Sequence, residues 1–375
     1  MRIAVNTRLL LKNKLEGIGW FTYETLKRVT RNHPHDTFYF LFDRPFDNEF
    51  IFSENIIPVV ISPQARHPFL WYLWFEHSVN HFLKNTKVDA FLSPDGYISL
   101  KTNIPQISVI HDINFFHFPK GLPMLTSGYF NHFFPKFASK ANRIITVSNA
   151  SKNDIANCYN VSASKIDVIY NGANHNFKPL PIAEIKSVRN SITNGAPYFL
   201  FVGALNPRKN VGRLIDAFDI FKQQHATNAK LVIIGEKMFK TSSINKSYKN
   251  CTYKSDIVFA GRKNLDDLVK ITASAHGVIY PSLFEGFGIP VLEAMQCNIP
   301  LAVSNTTSLP EVAGKAAIYF NPNSVQEITE AMEQIWFNES LRKELVAEGK
   351  TQQEKFSWDL SAEKLYDSIL KTLNR

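Results

Sequence analysis

Cysteine is nearly absent from this chain, and its three copies form no pattern. Cys158, Cys251 and Cys297 are odd in number and widely spaced among 375 residues. That argues against a disulfide framework and against a zinc-ligand motif, and points to a reducing cytosol. No apolar run reaches the length of a membrane span, and Met1-Arg2-Ile3-Ala4-Val5 meets Asn6-Thr7-Arg8 too soon for a signal peptide. A soluble or peripheral cytoplasmic protein is therefore expected. Arginine-rich runs are missing as well. The basic excess, 42 Lys and Arg against 33 Asp and Glu for a net +9, is diffuse, with +5 in residues 1–175 and +4 in the remainder. Such a spread, without a recognition motif, argues against a nucleic-acid partner and leaves nucleotides, polyanions or anionic lipid. A complete Gly-x-Gly-x-x-Gly unit is also lacking, which sets a dehydrogenase aside.

What is present is apolar material, 45% of residues with 13% aromatic, enough for sizeable cores. At this length two domains are the prior. Short apolar runs alternate with helical periodicity in two successive series, the pattern of two doubly wound α/β domains with a ligand cleft as the default site. The first series runs through strands at 3–5, 37–42, 56–61, 88–92, 106–110, 143–148 and 168–172. A polar segment with Pro179, Pro181 and Pro197 follows, read as a linker with one short helix. The second series has strands at 198–203, 230–235, 256–261, 277–280, 300–303 and 318–320. The expected domains are thus 1–175, a linker region at 176–197, 198–355, and a terminal helix at 356–375.

The most informative stretch spans residues 279–300. An apolar strand ends at Pro281-Ser282, a loop carries Gly286 and Gly288, and Pro290 suits the first turn of the helix that follows. Strand, glycine loop and helix start form a phosphate cradle, because glycines let the backbone approach and helix N–H groups attract negative charge. Glu285 and Glu293 bracket the loop. A carboxylate cannot bind phosphate, so sugar hydroxyls are the natural targets of these acceptors. The plainer alternatives are a solvated loop residue for Glu285 and dipole stabilisation for Glu293.

The run Glu285-Gly286-Phe287-Gly288-Ile289-Pro290-Val291-Leu292-Glu293-Ala294 resembles the E-x7-E signature of the retaining family-4 glycosyltransferases, which have the GT-B fold. The resemblance implies that Glu285 lies by the donor sugar and that Glu293 binds the nucleotide ribose. It also implies that the amides of Gly286, Phe287, Gly288 and Ile289 hold the distal phosphate and sugar. It extends over nearly the whole chain. Gly203 ends a strand and is followed by Asn206-Pro207-Arg208-Lys209-Asn210, where the family places an Arg and a Lys that stabilise the departing nucleotide; many members have Arg directly after the glycine, where this chain has Ala204. Arg262-Lys263 resembles the segment lining the nucleobase, the loop at 309–314 matches the family's next loop, and the helix after Trp358 resembles the one that crosses back to the first domain.

In the first domain, Glu16-Gly17-Ile18-Gly19-Trp20 forms a loop after the first strand, and the family commonly has a Gly-x-Gly there facing the donor phosphate and acceptor. His111 ends a strand on the side where open parallel sheets bind ligands, and the resemblance places it near the donor sugar. The aromatic segment 66–77 reads as a core helix, the alternative being an amphipathic surface for lipid or a lipid-linked acceptor.

The function these readings favour is retaining transfer of a hexosyl group, mannose or glucose, from a GDP- or UDP-linked sugar to a hydroxyl of a surface-polysaccharide or lipid-linked glycan. Arg208, Lys209, His111 and Glu285 would be catalytic. Gly17, Gly19, Gly203, Arg262, Gly286, Phe287, Gly288, Ile289 and Glu293 would bind the donor. No cofactor or metal is expected, Asp266-Asp267 lying within a helix, and peripheral contact with the inner face of a membrane is. A nucleotide-sugar epimerase of the same architecture and a non-catalytic nucleotide-binding assembly protein are the alternatives.

Overall fold

The computed structural model describes residues 1–236 and 241–374 and divides into two compact units, Met1–Gly172 with Ser357–Arg375, and Ala173–Phe356. The first unit is built on seven parallel strands: β1 (Arg2–Asn6), β2 (Thr37–Phe42), β3 (Ile56–Val60), β4 (Ala90–Ser93), β5 (Gln106–Val109), β6 (Arg143–Thr146) and β7 (Ile166–Val168). Their order in the sheet is β3-β2-β1-β4-β5-β6-β7, so the direction of winding reverses between β1 and β4. All four residues of β4 and of β5 are buried, as expected of parallel strands covered on both faces.

The terminal helix, Trp358–Thr372, belongs to this unit. Trp358, Ala362, Leu365 and Ile369 recur at helical spacing and are buried, and Arg28 Nε, on the helix Gly17–Asn32, donates to Asp359 Oδ1 at 2.5 Å. Ser361 Oγ donates to the Tyr170 carbonyl at 2.6 Å, and Ser368 Oγ to Asp167 Oδ2 at 2.8 Å. Gly172 is required by proximity: a Cβ there would stand 2.4 Å from the Trp358 nitrogen. The strand expected at 168–172 lies earlier, at Ile166–Val168, and beyond it the Tyr170 carbonyl and Gly172 meet this helix.

The aromatic segment 66–77 is core. Trp74 and Phe75 are buried, Trp71 stacks on Phe130 with ring centres 5.6 Å apart, and the Trp71 and Trp74 indole N–H groups donate to the carbonyls of Ala65 and Ile61 at 2.8 and 2.9 Å. Only Phe69 of its aromatic residues is largely exposed, at 65%. The helix through this segment loosens into a π-turn at Trp74–Val79.

The second unit has six parallel strands: β8 (Tyr198–Val202), β9 (Lys230–Ile234), β10 (Ile257–Gly261), β11 (Gly277–Tyr280), β12 (Leu301–Ser304) and β13 (Ala317–Phe320). Their order, β10-β9-β8-β11-β12-β13, reverses between β8 and β11. The segment expected as a linker is part of this unit. Its helix, Ile182–Thr193, is held by Arg189 Nε donating to the Ser274 carbonyl at 2.9 Å, and Phe177 packs with Val269, Ala273 and Cys297. Two further expectations are revised. Gly17 and Gly19 open the helix Gly17–Asn32 rather than lying in a loop, and the loop expected at 309–314 is mostly the short helix Leu309–Ala313, with Pro310 in its first turn. Among the described residues no helix is long and apolar enough to cross a membrane.

Candidate active site

In open parallel sheets, ligands bind beyond the carboxyl ends of the strands where the winding reverses. In the second unit those ends belong to β8 and β11, and the loops leaving them are the basic loop and the glycine loop. The basic loop folds as a short 3₁₀ turn, Pro207–Lys209, capped by Asn206, whose side-chain oxygen accepts from the Lys209 N–H at 3.3 Å. Asn210 then takes a left-handed conformation, φ 59°, which directs its amide to the carbonyls of Pro281 at 3.0 Å and Pro322 at 2.7 Å. The Leu283 N–H returns to the Arg208 carbonyl at 2.8 Å. Two loops about seventy residues apart in sequence are thereby sewn together, the Asn210 side-chain amide and the Leu283 N–H each reaching a main-chain carbonyl of the other loop.

Side chains complete the join. Lys209 Nζ donates to Glu285 Oε1 at 2.5 Å and to Tyr280 Oη at 2.7 Å. Arg208 Nη1 donates to Glu285 Oε2 at 3.0 Å and to the Phe284 carbonyl. Lys209 and Glu285 are only 8% and 7% exposed, so this is a buried cluster carrying a net single positive charge. Burial alone would raise the Glu285 carboxyl, but Lys209 and Arg208 outweigh it and hold it at about 2. Glu285 is thus not a free acceptor waiting for sugar hydroxyls; both its oxygens are engaged by cations.

Glu293 stands in the opposite condition. It lies half-buried in the helix Ile289–Gln296, and among the described residues nothing makes a hydrogen bond or ion pair with its carboxyl. Burial without a compensating charge pushes it up to about 8. The two glutamates of one motif are therefore held at opposite ends of the carboxyl range, one ionised and one mostly protonated near neutrality. Such divergence makes this loop the candidate site.

The loop between them is anchored from below. The Glu285 N–H donates to Thr307 Oγ1 at 3.0 Å, and Ser308 Oγ lies 2.9 Å from the carbonyls of both Glu285 and Phe287. Gly286 and Phe287 are buried, and the Phe287 ring packs edge-on against Phe356 at 5.5 Å. Gly288 has φ +104°, and a Cβ there would stand 2.8 Å from Leu309 Cδ2, so only glycine fits. It directly precedes Ile289 and starts the helix bearing Glu293. Gly203 lies against the Lys209 side chain, where a Cβ would be 3.4 Å from Lys209 Cε. Arg262 is exposed at the carboxyl end of the edge strand β10, and no partner for it occurs among the described residues.

In the first unit, His111 follows β5. Its Nε2 is 2.9 Å from the Pro94 carbonyl, which can only accept, so Nε2 carries the proton and Nδ1 keeps a lone pair. Phe21 packs edge-on against the ring at 5.1 Å, and burial lowers its pKa against the opposing pull of Pro94, Asp112 and Asp95. The helix Gly17–Asn32 opens without a side-chain cap and without an acidic residue in its first turn, and Leu15 Cδ2 would lie 3.1 Å from a Cβ at Gly19.

Sequence reasoning overlooked the polar network where β1 and β4 diverge. Arg8 Nε donates to Asp95 Oδ2 at 2.6 Å, Asn6 Nδ2 to Asp95 Oδ1 at 2.7 Å, and the Arg8 guanidinium lies 4.4 Å from the Tyr97 ring centre. The polar run Asn6-Thr7-Arg8 straight after an apolar strand was the available signal. Nor does sequence spacing reveal a metal-ligand group, yet the fold brings His117, Asp154 and Cys158 together.

The chain matches two family profiles, "Glycosyltransferase Family 4" over residues 15–177 and "Glycosyl transferases group 1" over residues 183–352. It is 30% identical over 278 residues to O-antigen chain mannosyltransferase B of Escherichia coli, covering 74% of this chain and 73% of that one. The chain belongs to glycosyltransferase family 4. Solved structures similar to this chain share its fold. WaaG, a glycosyltransferase involved in lipopolysaccharide biosynthesis, superposes with a TM-score of 0.74 at 16% identity, covering 97% of this chain and 98% of that one. Anabaena HepE, in complex with UDP and glucose, gives a TM-score of 0.74 at 15% identity with 98% of both chains covered. At such identities the likeness establishes the fold, GT-B, with the two reversing sheets described above.

Proposed function

We propose that this glycosyltransferase transfers a hexosyl group, with mannose favoured over glucose, from a GDP- or UDP-linked donor to a hydroxyl of a surface-polysaccharide or lipid-linked glycan. Transfer proceeds with retention and without a catalytic metal, at the cytoplasmic face of the membrane. The observation that carries the reading is the buried Arg208–Glu285–Lys209 cluster at the reversal of the second sheet. The mannosyl preference rests on the Escherichia coli relative.

The chemistry follows from charge. Loss of a nucleoside diphosphate builds negative charge on the leaving oxygens, and fixed cations in a water-poor site stabilise that charge without reorganising. Lys209 and Arg208 fill this role, and Glu285 holds both side chains in place before the donor arrives. Glu293, mostly protonated when unoccupied, offers both a donor and an acceptor to a ribose diol. His111 Nδ1 accepts from a substrate hydroxyl. Gly17, Gly19, Gly203, Gly286, Phe287, Gly288, Ile289 and Arg262 contribute backbone approach and nucleotide contacts.

The test is a panel of GDP- and UDP-hexoses with turnover followed by nucleotide release and product analysis. Release of GDP from GDP-mannose with the α-anomer retained in product supports the proposal. Interconversion of sugars without an acceptor points to an epimerase, and binding without turnover to a non-catalytic nucleotide-binding protein.

A further inference from the structure

We propose that His117, Asp154 and Cys158 form a zinc site in the first unit, a site separate from the donor chemistry. His117 ends the short helix Asn114–His117, whereas Asp154 and Cys158 lie one turn apart on the helix Asn149–Tyr159 and so share a face. His117 Nε2 is 2.8 Å from Asp154 Oδ1 and 2.9 Å from Oδ2, Cys158 Sγ is 3.4 Å from Asp154 Oδ1, and one ligand atom from each residue lies within 4.8 Å of the others.

Two of those separations approach the edge of a zinc tetrahedron. With zinc–ligand bonds of about 2.0–2.3 Å, ligand atoms stand roughly 3.3–3.7 Å apart, so a metal would open the His117–Asp154 pair by a few tenths of an ångström and keep the Asp154–Cys158 pair nearly as it is. The donor set also discriminates. One imidazole, one carboxylate and one sulfur suit zinc far better than magnesium or calcium, which require oxygen ligands. His117 and Asp154 side chains are 34% and 20% exposed, which leaves an approach for the ion and a fourth position for water. The Phe116 ring packs edge-on against both His117 and Tyr159, walling one side with apolar surface.

On binding, Cys158 loses its thiol proton to solvent as the zinc–sulfur bond forms, and the imidazole coordinates as the neutral ring. The ion then clips the segment after β5 to the helix Asn149–Tyr159, replacing a solvent-exposed His–Asp contact with three bonds. Neither of the other cysteines has a comparable setting: Cys251 Sγ meets Asp219 at 3.1 Å, and neither it nor Cys297 belongs to a metal-binding group among the described residues.

Cobalt(II), added alone to the full-length protein without donor, is the probe. One equivalent should give the intense visible bands of tetrahedral cobalt together with a sulfur-to-cobalt charge-transfer band, and zinc should bleach both. Cys158→Ser should abolish the charge-transfer band, and His117→Ala should weaken cobalt binding at least tenfold. Cys251→Ser and Cys297→Ser should leave the spectrum unaltered. Zinc should also raise the thermal midpoint of the wild type and not of His117→Ala. A pale octahedral spectrum, no saturable binding, or a charge-transfer band that survives in Cys158→Ser would overturn the assignment.

Discussion

Lys209 Nζ and Glu285 Oε1 lie 2.5 Å apart although 76 positions separate the residues in sequence. Their contact makes the basic loop and the glycine loop one electrostatic unit. Arg208 shares the same carboxylate, so under the proposed function an incoming diphosphate would meet two cations already oriented and half neutralised. That arrangement favours a charge that grows during the reaction over one already present in the ground state.

Lys209→Ala should therefore depress kcat by about 10²–10³-fold while changing donor affinity much less. Removing one partner of a buried pair also costs roughly 3–5 kcal/mol of stability, so the assay belongs well below the variant's unfolding temperature. Unchanged turnover in a folded variant would remove Lys209 from the mechanism.

Glu285 makes stability sensitive to acid. Its carboxyl falls from an ordinary 4.5 to about 2 on folding, so its contribution is complete above 4.5 and lost as pH drops toward 2. Glu285→Gln should be less stable than wild type at neutral pH, and the gap should narrow below about pH 4.5. Parallel midpoint-against-pH curves for the two proteins would mean that the cations do not hold this carboxylate ionised.

Glu293 works in the other direction. Folding raises its carboxyl from 4.5 to about 8, so the native state binds the extra proton between those values and stability declines as pH rises through that window. Glu293→Gln should remove this decline, each unit being worth about 1.4 kcal/mol at most. Glu293→Ala, which removes both the donor and the acceptor, should bind bare GDP or UDP more weakly, and nucleotide binding equal to wild type would leave Glu293 without a ribose contact.

Much of this site was legible because its signals are local. Uninterrupted apolar runs located most strands to within two residues, and Gly288 with Pro290 marked the glycine loop and helix start by their backbone requirements. What the sequence could not carry were pairings set by topology. The engagement of both Glu285 oxygens depends on β8 and β11 being neighbours, and the Arg8–Asp95 pair spans 87 positions across the first sheet's reversal. The helical start at Gly17 was masked by two glycines, residues whose local preference opposes a helix until the chain around them packs.

Turnover should persist in excess chelator, since Arg208 and Lys209 supply the charge a metal would otherwise bring. Chelation should lower only the thermal midpoint, through the His117 site, and His117→Ala should be indifferent to it. A loss of turnover that magnesium or manganese restores would contradict metal-independent transfer.

The last prediction concerns Asp95, which positions His111 without touching it. Its carboxylate accepts from Asn6, Ser93 and Arg8 at 2.7, 3.1 and 2.6 Å and so fixes the turn whose Pro94 carbonyl receives His111 Nε2–H. Asp95→Asn removes the counter-charge of the buried Arg8, which loosens the turn and withdraws a negative charge from the imidazole. Both changes act in one direction, because the Pro94 hydrogen bond and the Asp95 charge each raise the His111 pKa against burial. The variant should therefore show a His111 pKa lower still and a mixture of ring tautomers, read from nitrogen chemical shifts of labelled histidine. If kcat falls while both His111 signatures stay at their wild-type values, Asp95 acts by some route other than this histidine.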